Sequence, residues 1–221
     1  LAWAAALLLR GTLWPLLHLG RNGPNSAWAG RADVAMIRVA GDWITNIDTQ
    51  AVCAVLTNAG YRALFVGGCV RNALLDVPVN DIDIATDAVP ETALSLFDAA
   101  GFKTIPTGLA HGTITIVSGG IPHEVTTFRR DVETNGRHAV VEHTNDVTED
   151  ARRRDFTMNA LYADPGGLVV DPLNGIGDLH ARRLRFIEDP AARIQEDYLR
   201  ILRFFRFHAW YGDQSNGLDA D

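Results

Sequence analysis

Lysine is almost missing from this sequence. Lys103 is the only one among 20 lysines and arginines. The positive charge is therefore nearly all guanidinium, the group suited to bidentate recognition of carboxylates and phosphates. Net basicity is missing too. The formal charge is −7 at pH 7, which argues against a chain that grips nucleic acid by its own field. The only two cysteines, Cys53 and Cys69, have no metal-ligand spacing and make no disulfide framework. Both sit in apolar patterns and read as reduced core residues, which points to a cytosolic setting. The chain also lacks an apolar run long enough to span a bilayer. LAWAAALLLRGTLWPLLHLG is broken by Arg10 and Pro15 and falls short of a convincing span.

That opening segment differs from the rest. No acidic residue precedes Asp33, and RNGPNSAWAGR reads as a linker. A signal peptide lacks its charged leading region here. A transit peptide fits the arginine-bearing, acid-poor composition. Upstream sequence outside the native protein, with Met36 as the start, fits best, because sensible amphipathic patterning begins only after Met36. Residues 1–35 are therefore expected to be an unstructured or non-native leader, 36–170 a first domain, and 171–221 the start of a second.

What is present centres on residues 64–86, LFVGGCVRNALLDVPVNDIDIAT. Leu64-Phe65-Val66 reads as a buried strand. Gly67 and Gly68 lead into a short helical pattern with Val70, Arg71, Ala73 and Leu74. A strand running through paired glycines into a helix exposes amides that suit a phosphate, and Arg71 can add a charged fork. After a turn at Pro78 come Asp81 and Asp83. Residues two apart in a strand share a face, so the two carboxylates lie about 6–7 Å apart at the backbone, at roughly 3.3 Å per residue. Ile82 and Ile84 face the core. Two carboxylates beside a phosphate cradle suit metal-dependent phosphoryl or nucleotidyl transfer.

GGCVRN followed by DIDIAT resembles the head-domain signature of the class II tRNA nucleotidyltransferase (CCA-adding enzyme) and bacterial poly(A) polymerase family. The family's usual form has Asp where this chain has Asn72. RRDFTMNA matches the family's second motif in register and order. There the resemblance implies that Arg154 and Asp155 hold ribose and triphosphate, with Arg153 and Asn159 in support. The segment from Asp171-Pro172 to Leu184-Arg185-Phe186 resembles the third motif, which joins head to neck. EDYLR with RFFRF matches the amino-acid template motif, whose Asp and Arg pair with the incoming base. Those are Asp197 and Arg200 here, with Arg203 continuing the stripe. GLAHGTITIV is closer to the CCA-adding subgroup than to the poly(A) polymerases. The resemblance covers residues 37–211, about half of a full-length enzyme.

The remaining pattern predicts a mixed α/β head. Thr49–Ala59 reads as a helix closed by Gly60, and Pro90–Ala100 as another stopped by Gly101. Thr113–Val117 and Ile121–Phe128 read as a hairpin through Gly119-Gly120. These give a small mixed sheet with helices on one side. Glu124 on the returning strand reads equally as a surface glutamate or as a third carboxylate, which nucleotidyltransferase folds often carry on a neighbouring strand. Arg129–Asn145 reads as a mobile polar loop. Leu161–Ala163 and Leu168–Val170 read as a hairpin around Pro165-Gly166-Gly167. Ile194–Trp210 reads as one helix. Leu199, Leu202 and Phe205 mark its buried face, and Asp197, Arg200 and Arg203 a charged stripe.

The resemblance implies a nucleotidyltransferase-type head followed by the start of an all-helical neck. It implies transfer of CMP and AMP from CTP and ATP to the 3′ end of tRNA in the cytoplasm. Asp81 and Asp83 would hold Mg²⁺, and Gly67, Gly68 and Arg71 would cradle phosphates. No membrane or DNA partner is expected. The alternatives are a poly(A) polymerase and a nucleotide-binding remnant without catalysis.

Overall fold

The computed structural model describes residues 36–135, 138–215 and 217–218, and the expectations for the leader lie outside them. The described residues from Met36 onward cluster as one compact unit.

Helix α1 (Asp42–Thr45) leads into α2 (Ile47–Asn58). The Asn46 side chain caps α2 by accepting the Asp48 and Thr49 amides, which have no partner within the helix. Strand β1 (Leu64–Val66), helix α3 (Gly68–Leu74) and strand β2 (Ile82–Thr86) then form the central unit. Helix α4 (Pro90–Ala99) starts on a proline at its first position. Strands β3 (Lys103–Gly108), β4 (Thr113–Ser118) and β5 (Ile121–Thr127) follow. The Gly119 and Gly120 turn between β4 and β5 takes positive φ at both residues, which glycine adopts without strain.

A second hairpin, β6 (Arg129–Asn135) and β7 (His138–His143), stands apart as a two-stranded sheet. Next come α5 (Val147–Arg152), the short strands β8 (Tyr162–Ala163) and β9 (Val169–Val170), and helices α6 (Gly175–His180), α7 (Pro190–Glu196) and α8 (Leu199–Tyr211). The main sheet has seven strands in the order β3-β4-β5-β2-β1-β8-β9. It is mixed: β2 runs parallel to β5, while β1 runs antiparallel to both β2 and β8.

Burial of alternate strand residues explains the layering. Phe65, Ile84, Ile116 and Val125 join Val52 and Leu56 of α2 and Phe97 of α4 in one core. Leu64, Val66 and Ala85 point the other way and meet Val147 and Ala151 of α5, with Phe128 and Tyr162. The sheet is thus covered on both faces, not on one as the sequence suggested. Asp83 shares the second face with Ala85, two residues on. Cys53 and Cys69 are free and buried, and burial pushes their thiols up to about 12 and about 11.

Three expectations need correction. Arg129–Asn145 is mostly a β-hairpin, not a loop. Asn135-Gly136 is a hairpin turn signal that its polar composition masked. The expected single helix over Ile194–Trp210 is two, because Asp197 is extended (φ −153°, ψ 105°) and breaks the run between α7 and α8. Finally, the stripe expected to be buried is exposed: Leu199, Leu202 and Phe205 are 41%, 67% and 54% accessible. The charged stripe faces inward instead, towards a polar cleft, and Phe207 and Tyr211 supply the buried contacts of α8.

Candidate active site

The strand–glycine–helix turn is built as its residues dictate. Gly67 has φ 70° and caps α3. A Cβ there would make only ordinary contacts, 3.4 Å from an Arg154 guanidinium nitrogen and 3.6 Å from the Asn159 carbonyl oxygen, so it is the conformation that calls for glycine. The Gly67 amide is spent on the Leu161 carbonyl, 3.0 Å away. The free amides of this turn therefore begin at Gly68, the first residue of α3.

Arg71 is buried, 6% accessible. Its fork is largely committed. It donates to Asn72 Oδ1 from Nε and Nη2 at 3.2 and 2.9 Å, to Asn159 Oδ1 at 2.5 Å and to the Tyr211 hydroxyl at 2.9 Å. It also lies over the rings of Tyr211 and Phe207. None of these hydrogen-bond partners is a carboxylate. With Asn72 at this position Arg71 has no hydrogen-bonded carboxylate among these partners; desolvation pulls its pKa down, against the raising effects of Tyr211 and of the nearby Asp155 charge.

Arg154 is locked differently. Asp150, nearly inaccessible, accepts from Arg153 at 3.3 Å, from Arg154 at 3.2 Å and from the Tyr162 hydroxyl at 2.7 Å. Arg154 Nε donates to that same hydroxyl at 3.1 Å. Burial alone would push Asp150 up, but the guanidiniums of Arg154 and Arg153 and the Tyr162 hydroxyl hold it below the usual carboxylate range. Asp155 accepts from the Phe156 amide and Asn159 Nδ2 on Oδ1, and from Arg203 on Oδ2. Arg200 donates to Glu196 at 2.6 Å and to the Arg193 and Arg153 carbonyls at 2.8 and 3.3 Å. Asp197, the residue before the Tyr198 N-cap of α8, accepts the Leu199 amide at 3.0 Å.

One cleft of about 550 Å³ collects these groups. Gly67, Gly68 and Arg71 form one wall and Asp81 and Asp83 the floor. Arg154, Asp155 and Asn159 come from the segment after α5, and Asp197, Arg200 and Arg203 from the α7–α8 region. Glu124 does not line it. It pairs in register with Asp83 across the parallel β2–β5 strands and is exposed. Among the described residues no group of three or more His, Cys, Asp or Glu side chains could hold a metal ion. The contribution of Glu124 here is charge.

Asp83 feels that charge. Its carboxyl is pushed up to about 6, chiefly by burial, then by Glu124, against the lowering pull of Arg154, with Asp81 raising it further. A half-buried carboxylate destabilised by carboxylate neighbours fits a cation. Two protein carboxylates, completed by substrate phosphates and water, are the usual provision for Mg²⁺.

Sequence reading missed several residues. Arg206 and Phe207 also line the cleft. The every-third-residue stripe of Asp197, Arg200 and Arg203 extends directly to Arg206. Asp150 and Tyr162 position Arg154, and the Asp150 to Arg154 spacing of four is itself a helix-pair signal. Glu196 joins Arg193 and Arg200.

Known proteins share this fold. The profile of the poly(A) polymerase head domain matches residues 63–185. A CCA-adding enzyme of Anoxybacillus flavithermus is 42% identical over 168 residues, 73% of this chain and 40% of that protein. One from Streptococcus pyogenes is 43% identical over 165 residues, 72% and 40% of the two chains. The crystal structure of the Bacillus stearothermophilus CCA-adding enzyme in complex with CTP superposes with TM-score 0.66 at 39% identity, over 73% of this chain and 38% of that one. A tRNA nucleotidyltransferase complexed with a primer tRNA and an incoming ATP analog gives TM-score 0.58 at 31% identity, over 71% and 44%. The chain spans about two-fifths of the length of the curated relatives it matches. Its fold is the nucleotidyltransferase head, and the chain belongs to the poly(A) polymerase head-domain family, alongside the CCA-adding enzymes.

Proposed function

We propose that this chain carries the catalytic head of a tRNA nucleotidyltransferase, transferring CMP and AMP from CTP and ATP to the 3′ end of tRNA with release of pyrophosphate. The observation that carries this reading is the single cleft in which the Asp81/Asp83 pair meets five arginines and the glycine turn. Relatives named CCA-adding enzymes and solved neighbours holding CTP or a primer tRNA support it. They favour it over a poly(A) polymerase. The intact carboxylate pair and arginine set favour it over a non-catalytic remnant.

Asp81 and Asp83 would hold Mg²⁺. When bound, the cation lowers the pKa of the attacking hydroxyl and offsets charge on the triphosphate and leaving pyrophosphate. The protein's own groups bind and orient. Arg154, fixed by Asp150 and Tyr162, stands next to Gly67, where a phosphate would meet the Gly68 amide. Arg71 adds charge more than hydrogen bonds, since most of its donors are engaged. Asp155 fills both oxygens with protein donors, so a ribose hydroxyl reaches it only by exchanging with Arg203. Neither histidine nor lysine lines the cleft, and the titratable groups nearest the expected cation are the carboxylates Asp81 and Asp83.

The same reading puts the reaction in the cytoplasm as part of the proposal. No helix among the described residues is long and apolar enough to cross a membrane. Labelled CTP and ATP with a tRNA lacking its 3′ end test the proposal. CMP-CMP-AMP addition is the expected product. A long A tail would favour the poly(A) reading, and no incorporation would favour the remnant.

A further inference from the structure

Arg193 on α7 is not one of the residues that line the cleft, yet it is hydrogen-bonded to two that do. Its Nη2 donates to the Arg154 carbonyl at 3.0 Å. Its own carbonyl accepts from Arg200 Nη1 at 2.8 Å. Its Nη1 donates to Glu196 Oε1 at 3.1 Å, and Arg200 Nη1 meets Glu196 Oε2 at 2.6 Å. Arg193 thus clamps the backbone at Arg154 to the last residue of α7. Asp197 follows at once, extended, and leads into α8.

The clamp is a poor stabiliser. Arg193 is buried, and its Nε has no hydrogen-bond partner among the described residues. Two guanidiniums share one carboxylate. Burial and then Arg200 pull the Arg193 pKa down, against the raising charges of Glu196, Glu188 and Asp131. An apolar side chain of similar length would dock α7 without these costs. It could not hold two polar acceptors at a set separation, which a planar guanidinium does. Local rules broken at a buried position point to function rather than stability. We propose that Arg193 is a positioning residue that sets base preference from behind the cleft. It fixes the spacing between Arg154, beside the glycine turn, and the Asp197/Arg200 pair. A nucleotide held through its phosphates then presents its base edge in register with that pair. This deepens the functional reading above and rests on it.

Calorimetric titration of the chain with CTP, ATP, UTP and GTP tests this without turnover. Wild type is expected to bind CTP and ATP more tightly than UTP and GTP. Arg193→Met should weaken CTP and ATP binding about tenfold, the order of one lost hydrogen bond to a charged group, and leave UTP and GTP binding as they were. Arg193→Lys, which keeps the charge without the planar fork, should recover part of the preference. Arg152→Ala, at an exposed position on α5, should change nothing. A merely structural role would cut binding of all four nucleotides alike, so the ratio of affinities decides, with denaturation midpoints measured beside it. Unchanged ratios in Arg193→Met, a uniform loss across the four nucleotides, or a wild type with no base preference overturns the proposal. Should Arg193→Met not fold, wild-type ratios in a folded Arg193→Lys do the same. The functional reading fails separately. A wild type that binds with preference but adds neither CMP nor AMP sinks that reading and leaves the clamp standing as part of a base-selective nucleotide site.

Discussion

Arg203 on α8 reaches back to Asp155, placing Nε and Nη2 2.7 and 2.5 Å from the same oxygen, Oδ2. Asp155 is buried and its other oxygen is held by the Phe156 amide and Asn159. The pair therefore joins the segment after α5 to the helix that carries the charged stripe. Removing Arg203 leaves a buried carboxylate short of two donors, at a cost of about 1–3 kcal/mol. Arg203→Ala is expected to lower the unfolding free energy by that order in denaturant titrations. Asp155→Asn should cost a comparable amount, because its amide nitrogen would face donors either at Arg203 or at the Phe156 amide and Asn159. A double-mutant cycle should show coupling between them. Additive effects would mean that the contact does not tie the two segments together.

Asp83 gives a pH-dependent expectation. Its carboxyl rises from 3.8 to about 6 on folding, so between those values the folded state binds more protons than the unfolded. Stability attributable to Asp83 is then greatest below about 4, falls as pH rises through 6, and stays low above it. The two-unit shift corresponds to roughly 3 kcal/mol at neutral pH. Asp83→Asn is expected to raise the metal-free stability at pH 7 by up to that order, and to abolish transfer. In the wild type, divalent cation affinity should drop as pH falls below about 6, where a proton competes for Asp83. Chemical denaturation with a chelator, at pH 4.5 and 7.5, checks the first. Mn²⁺ titration across the same range checks the second. A variant that keeps near-wild-type incorporation would remove Asp83 from the metal site.

Much of this site was legible in sequence because its determinants are local. Paired glycines after an apolar run, and carboxylates two apart in a strand, fix their own geometry. The strands around Gly119-Gly120 and Pro165-Gly166-Gly167 were legible for the same reason. What failed depends on distant partners. The face α8 buries is decided by a polar cleft built from four separate segments, so its charged stripe faces inward and its leucines outward. Strand β3 was not read at all. It carries Pro106 and lies at the sheet edge, where a proline is tolerated. The commitments of Arg71 and Asp155 to protein partners also cannot be read from a motif. They need Tyr211, Asn159 and Arg203, which lie far along the chain.

Binding to nucleic acid should be lopsided. The chain carries −7 overall, yet one cleft concentrates five arginines. CTP and ATP are expected to bind more tightly than tRNA to this chain alone. Any tRNA affinity should fall steeply with salt, since phosphate contacts dominate it. Filter binding at 50 and 200 mM salt distinguishes the cases. Tight, salt-insensitive tRNA binding would contradict the charge argument.

Base choice is expected to lie with Asp197 and Arg200. Cytosine and adenine both present a donating exocyclic amine beside an accepting ring nitrogen, whereas uracil and guanine present the inverse. A carboxylate only accepts and a guanidinium only donates, so one of each side by side fits C and A and rejects U and G. Both residues line the cleft, although a break between α7 and α8 separates them rather than one helical turn. Asp197 spends Oδ1 on the Leu199 amide, leaving Oδ2 for an amine. Arg200 is braced by Glu196 and two carbonyls through its terminal nitrogens. That bracing fixes the guanidinium plane, which a reader of base edges requires. Each mismatched group would cost about 1–3 kcal/mol. Asp197→Ala and Arg200→Ala are therefore expected to lower C and A incorporation and relax rejection of UTP and GTP. Glu196→Gln, which loosens the brace without touching the edge, should relax selectivity less. Single-nucleotide incorporation with each of the four NTPs measures this. Unchanged selectivity in both alanine variants would reduce the stripe to ion pairs that hold α7 against α8.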